Sequence, residues 1–249
     1  HMTFSILGFC PRSDQVGIAY TTVTLAGGGT SPFYSYRGDI VVVQAFGNQQ
    51  CAIVGARALD EGCDEAEVLQ RMRASDSAFA YRQVGVMPRG GRPFARTGDK
   101  ARPWAGHVIE DDFVAMGNVL VGRAVVDAMA AAFRQRQAEP LAERLLCAIE
   151  AGRDAGGQQA PEDQRYDERS ALLRVIGDGP ERPEQTALDL RVDMASSAVD
   201  ELRHMYEIYK PVIARRSLRA RNPGEDMPTS LWEAQNLTAN PPPPALKTK

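Results

Sequence analysis

Thr3 to Cys10 and Gln15 to Thr24 are short, apolar and rich in β-forming residues, and the turn-prone Pro11-Arg12-Ser13-Asp14 joins them into a predicted β-hairpin. Gly27-Gly28-Gly29 breaks this pattern. Asp39 to Phe46 is then an apolar run suited to a strand buried on both faces. From Gln49 to Leu59 the composition turns helical. Asp64 to Arg73 repeats this, with an acidic start and a basic end that match the helix dipole. Phe79 to Met87 alternates as a strand, Arg89-Gly90-Gly91 marks a turn, and Pro93 to Thr97 completes a second hairpin. A further strand is predicted over Asp112 to Gly117.

Beyond it, Val125, Val126, Met129, Ala130 and Phe133 fall on one helical face, as do Leu141, Leu145, Leu146 and Ile149. Ser170 to Ile176 and Thr186 to Val192 read as late strands, and Val199, Leu202, Tyr206 and Tyr209 form the seam of a last helix. Such segregated runs favour an α+β fold of antiparallel sheets with helices outside, rather than a parallel βαβ winding. From about Pro211 the chain carries Arg215-Arg216, Arg219 and Arg221, then Asn240-Pro241-Pro242-Pro243-Pro244, and shows no periodic apolar face. The expected organisation is one domain over residues 3–210 and an extended Pro/Arg-rich tail over residues 211–249. An exposed apolar seam running into such a tail predicts packing on a second copy, in a homodimer or a larger homo-oligomer.

Composition narrows the partners. A chain of 249 residues with 43% hydrophobic content can bury a full core as a single domain. Charged residues make up 24% and nearly cancel to a net −3, so no broad positive field exists to attract nucleic acid or anionic lipid. No apolar run approaches the roughly 20 residues that span a bilayer, and the start lacks the order of a signal peptide. The expected location is the cytoplasm. Four cysteines without CxxC spacing argue against zinc, and three histidines cannot build a metal cage. Gly27 to Gly29 lack a following Lys-Ser/Thr signature, so no nucleotide is expected. A small-molecule substrate and no cofactor remain.

Several polar residues stand where loops meet strand ends. Asn48 follows Gly47 directly after the buried strand, and Asn118 follows Gly117 in the same way, so each offers a donor to an oxyanion or simply a turn residue. His107, just after Trp104-Ala105-Gly106, is a candidate acid or base, or a structural histidine. The charged run from Asp163 to Ser170 precedes an apolar strand. Its Asp163, Arg165, Arg169 and Ser170 suit a site holding a carboxylate or amide substrate, or a solvated loop of local ion pairs.

One set of segments carries a resemblance. Met2-Thr3-Phe4-Ser5-Ile6, Arg82-Gln83-Val84-Gly85-Val86, and Thr97-Gly98 with Pro103-Trp104-Ala105-Gly106-His107 are followed by Met116-Gly117-Asn118-Val119-Leu120 and Pro140-Leu141-Ala142-Glu143-Arg144-Leu145-Leu146. Arg169-Ser170-Ala171-Leu172-Leu173 and Asp189-Leu190-Arg191-Val192-Asp193 complete the set. In that order and spacing the chain resembles the domain-of-unknown-function family numbered 1028 from about Thr3 to Tyr209. That family is similar to N-terminal-nucleophile hydrolases, which implies a four-layer αββα sandwich of antiparallel sheets. It departs from the family's pattern at Tyr20-Thr21-Thr22-Val23, where members carry a small-residue, Ser-Lys-like stretch, and at Asp167-Glu168-Arg169-Ser170, where Gly-Arg-Gln-Ser is usual.

The resemblance implies a definite chemistry. A first-residue threonine attacks with its hydroxyl while its own α-amine, of ordinary pKa about 7.7–8.0, takes the proton. The position is Thr3, and His1-Met2 ahead of it reads as a cloning scar joined to an initiator methionine. The leading expectation is hydrolysis of a small amide or lactam-like C–N bond, with Asn48 or Asn118 aiding the oxyanion. A rival hydrolase keeps Met2 and works through His107 or the Asp163 to Ser170 loop. A third reading is a non-catalytic sandwich that binds a ligand or assembles with itself.

Overall fold

The computed structural model describes residues 2–159, 164–177 and 185–237. The first hairpin forms as the alternation predicts, with β1 at Thr3–Cys10 and β2 at Gln15–Thr22. Next come β3 (Pro32–Tyr34), β4 (Ile40–Ala45), α1 (Gln49–Asp60) and α2 (Glu65–Ser75). Asp64 caps α2 in a capping box with Glu67, which accounts for its acidic start. Then follow β5 (Arg82–Met87), β6 (Phe94–Thr97), β7 (Ala105–Glu110), β8 (Phe113–Asn118), α3 (Ala124–Gln135) and α4 (Leu141–Asp154). The last elements are β9 (Gln158–Gln159), β10 (Arg165–Tyr166), β11 (Ser170–Ile176), β12 (Thr186–Val192), α5 (Ala198–Arg221) and α6 (Thr229–Asn236).

Every strand pairing is antiparallel. One sheet has six strands in the order β12-β11-β2-β1-β8-β7, a second has four in the order β3-β4-β5-β6, and β9 pairs with β10. The strand that begins at Thr3 is therefore interior, flanked by β2 and β8. Helices α3 and α4 cover the outer face of the larger sheet, and α1 and α2 cover the smaller one, giving the αββα sandwich. Leu7, Ile18, Ile40, Val42, Val114 and Met116 interdigitate between the sheets, while Val41, Val43, Val84 and Val86 point at α1 and α2.

Three expectations need correction. Phe79–Tyr81 is a 3-10 turn, so the strand begins only at Arg82. Helix α5 runs through Pro211 to Arg221, and α6 follows, so the described part of the expected extended tail is largely helical. Asn240 to Pro244 lie outside the described residues. The chain divides into two compact units between Leu202 and Arg203. Within the second, Arg215 bonds Asp226 at 2.8 Å and stacks 4.6 Å from the Trp232 ring, an organising centre that periodicity does not reveal. Finally, Val199, Leu202 and Tyr206 are buried and Tyr209 is half-buried, so this seam is not the fully exposed face that the sequence suggested. Among the described residues, no helix is long and apolar enough to cross a membrane.

The sandwich depends on close approach where helix meets sheet. A Cβ at Gly17 would lie 2.6 Å from Leu145 Cδ1 and 2.9 Å from the Arg174 carbonyl oxygen, and that backbone oxygen cannot yield. Gly17→Val should cost about 2 kcal/mol, a fall of roughly 5 °C in a thermal melt. Gly122→Ala, with nothing within 4 Å of its Cβ, should leave the melt unchanged.

Candidate functional site

Strand alternation places Thr3, Ser5 and Leu7 of β1 on the face that looks toward the second sheet, beside Tyr20 and Thr22 of β2 and Asn118 of β8. Gln44 of β4 and Gln83 of β5 answer them from the opposite sheet. The space between the sheets is thus apolar along most of its length and polar at one end, although every one of these polar side chains is buried. Such groups persist inside a core only when hydrogen-bonded. Ser5 Oγ donates to Gln44 Oε1 at 2.9 Å, and Gln44 Nε2 donates to Gln83 Oε1 at 2.8 Å. Gln83 Nε2 reaches the carbonyls of Gly117 at 2.9 Å and Gly106 at 3.0 Å, and Thr97 Oγ1 at 2.9 Å.

Next to this network opens a cleft of about 250 Å³, with Thr3 and Tyr20 from one sheet and Gln44 and Ala45 from the other. Thr24, Gly27, Thr30 and Ser31 line it from the β2–β3 connection, and Gly47 and Gln49 from the entry to α1. Every lining residue is uncharged. Thr3 Oγ1 donates to Thr22 Oγ1 at 3.1 Å, which in turn donates to the Met2 carbonyl at 2.6 Å. Tyr20 lies 2.9 Å from Ser31 Oγ, and burial pushes its phenol up against the opposing pull of the Ser31, Thr3 and Thr22 hydroxyls. The phenol therefore stays protonated near neutrality.

Two buried polar groups hold the cleft's walls. Ser170 Oγ donates to the Thr24 carbonyl at 2.6 Å and accepts from Gly27 N–H at 3.1 Å, which fixes the β2–β3 connection. On the other side, Arg82 bonds Asp76 Oδ2 at 2.8 Å and also donates to the Phe46 carbonyl. Asn48 Nδ2 donates to the same Asp76 oxygen at 2.8 Å. Phe46, Gly47 and Asn48 are thus pinned beside the cleft. Three non-glycine residues at this end have left-handed backbones: Ala26 (φ 54°), Ala45 (φ 74°) and Val119 (φ 54°). Such strain costs on the order of 1–3 kcal/mol each and concentrates where a fold holds loops for a purpose.

The sequence candidates separate on this geometry. Thr3 is in the cleft. Asn48 caps α1 by accepting from Cys51 N–H at 3.3 Å, so its side chain is committed while its neighbours Gly47 and Gln49 line the space. Asn118 is fully buried opposite Thr3 and donates to Gln83 Oε1 at 3.2 Å. His107 Nδ1 meets Thr97 Oγ1 at 2.9 Å, and burial lowers its pKa, so it is neutral at pH 7. By strand spacing, its Cα stands about 12 Å from that of Thr3, two strands over and two residues along. Arg165 is exposed, Arg169 donates to the Val23 carbonyl at 2.8 Å, and Ser170 is buried as a wall support. Asp163 lies outside the described residues. Sequence reasoning missed Gln44, Gln83, Thr22 and Asp76. The polar Gln44 inside Val41-Val42-Val43-Gln44-Ala45 was the available signal.

The model of a family of unknown function, DUF1028, matches residues 3–202. The chain belongs to the DUF1028 family. A crystal structure of a DUF1028 protein from Silicibacter pomeroyi is similar to it at 27% identity and a TM-score of 0.71, covering 84% of this chain and 90% of that one. Anbu, the ancestral beta-subunit from Yersinia bercovieri, gives 12% identity and a TM-score of 0.41 over 90% of this chain and 100% of its own, too distant to inform the site. No curated protein matches the chain.

The pinned wall makes a pH prediction. The Arg82 hydrogen bond, aided by Asn48 and the Ala78 N–H, holds the Asp76 carboxyl below the usual range. A depressed folded pKa adds stability above the unfolded value of about 3.9, and that stability is lost as pH falls through the lower folded value. Asp76→Asn should lose about 3 kcal/mol at pH 7 and flatten the decline in stability seen below about pH 4 in urea titrations.

Proposed function

We propose that this DUF1028 chain hydrolyses a small amide or lactam-like C–N bond, with Thr3 as nucleophile in a form of the chain that begins at that residue. The observation that carries the reading is the Thr3 hydroxyl in an uncharged cleft that the N-terminus of α1 also enters through Gly47 and Gln49. With no carboxylate, imidazole or amine side chain lining the cleft, and with the Tyr20 phenol held protonated, the base nearest the hydroxyl is the Thr3 α-amine, once Met2 no longer blocks it.

The steps follow from that placement. The amine takes the Oγ1 proton as Oγ1 attacks the substrate carbonyl carbon. Charge that develops on the carbonyl oxygen is met by the Gly47 N–H, for which no hydrogen-bond partner exists among the described residues, and by the Gln49 N–H at the start of α1. The ammonium returns its proton to the leaving nitrogen, the C–N bond breaks, and an ester on Thr3 remains. Water, deprotonated by the same amine, hydrolyses that ester and restores the hydroxyl. Thr22, bonded to Thr3 Oγ1 at 3.1 Å, orients the nucleophile. The neutral lining favours substrates uncharged around the scissile bond.

The test compares forms of the chain on one panel of small amides and lactams. Protein beginning at Thr3 should turn over, and protein retaining His1-Met2 should be slower by on the order of 10²–10⁴-fold, the value of a lost general base. Thr3→Ser should keep part of the rate, and Thr3→Val none with an unchanged melt. Equal turnover with and without His1-Met2 would remove the amine from the mechanism, and ligand binding without turnover in either form would favour a binding sandwich.

A further inference from the structure

The buried amides at the polar end leave one atom unaccounted for, and the logic of the network fixes which. Gln83 must turn its NH₂ toward the Gly106 and Gly117 carbonyls, because a carbonyl can only accept. Its Oε1 therefore faces Gln44 Nε2 and Asn118, which forces Asn118 to present Nδ2 to it. Asn118 Oδ1 is left as an acceptor, wholly buried, with no hydrogen-bond partner among the described residues. A buried acceptor without a donor loses the hydrogen bonds that water would give it, so an atom kept in that state calls for a donor that arrives.

Thr3 supplies one. It is paired with Asn118 across β1 and β8, and both side chains lie on the face between the sheets. Cβ atoms so paired stand about 4.5–5.5 Å apart. While Met2 is attached, the Thr3 nitrogen carries a single hydrogen. Once the chain begins at Thr3, it carries two or three. We infer that Asn118 is a positioning residue whose Oδ1 accepts a hydrogen bond from the free Thr3 α-amine, holding the amine's lone pair toward the Thr3 hydroxyl. This rests on the proposed Thr3 chemistry and assigns Asn118 to the base, in place of the oxyanion.

The contact is measurable without turnover. In protein beginning at Thr3 and carrying a nitrogen-15 label there, the α-amine is titrated by NMR. A hydrogen bond to Oδ1 favours the ammonium, so Asn118→Ala and Asn118→Leu should each lower the amine pKa by about one unit. Ser5→Ala, which breaks the same network at Gln44 and leaves the amine's surroundings intact, should not move it. Thr3 amine values equal in wild type and in both Asn118 variants would overturn the inference, as would an equal shift in Ser5→Ala. If the amine shifts as expected and the protein is active, the acidic limb of kcat/KM should move down with it. An amine that shifts in a protein inert to every amide would retain the contact and sink the proposed hydrolysis, so the two failures are distinguishable.

Discussion

A primary amide buried between two sheets must satisfy both its hydrogens and its oxygen, and Gln83 does so only if the sheets stand in one register. Its Nε2 reaches carbonyls of β7 and β8 in the larger sheet, while its own backbone sits in the smaller one. Shifting either sheet by one residue would turn these amides into unpaired buried groups, at a cost of about 1–3 kcal/mol for each. The apolar interlayer supplies most of the cohesion, and Gln83 decides where the layers stop sliding. The positions of Gln44, Asn118 and Ser5 follow from it, because each is tied to that amide directly or through one neighbour, and Thr3 stands in register beside Asn118.

The cleft inherits its shape from this arrangement. Strands that meet in a fixed register end together, and the connections leaving them must bend sharply, which is where Ala26, Ala45 and Val119 take left-handed backbones. Ser170 and the Asp76–Arg82 pair then hold the two walls from behind, so no lining residue need carry charge. A neutral cleft at the N-terminal end of a helix is suited to meet developing negative charge with fixed dipoles.

Most of the fold was legible because β1, β4, β11 and β12 announce themselves by alternation or by unbroken apolar runs, and the helices by an apolar face. Strand β7 was not, since Ala105-Gly106-His107 reads as a turn and the strand lies at a sheet edge with little burial to pattern it. Helix α5 continues past Pro211 against the usual penalty for an internal proline. Of the site, Thr3 was legible through the resemblance and Asn118 through its place at a strand end. Gln83 and Gln44 were not singled out, because their value lies in pairing across two sheets distant in sequence, which no period encodes. Arg169 and Ser170 drew notice for charge and polarity, yet their hydrogen bonds go to backbone.

The central claim is that the Thr3 hydroxyl is the attacking group. The most direct measurement is covalent capture: protein beginning at Thr3 is treated with a small β-lactone, an electrophile that acylates an activated hydroxyl, and the adduct is located by peptide mass mapping. The account predicts a single acyl group on Thr3, lost on Thr3→Ala and much slowed when His1-Met2 is retained. Stoichiometric acylation at another residue, with Thr3 unmodified, would contradict it.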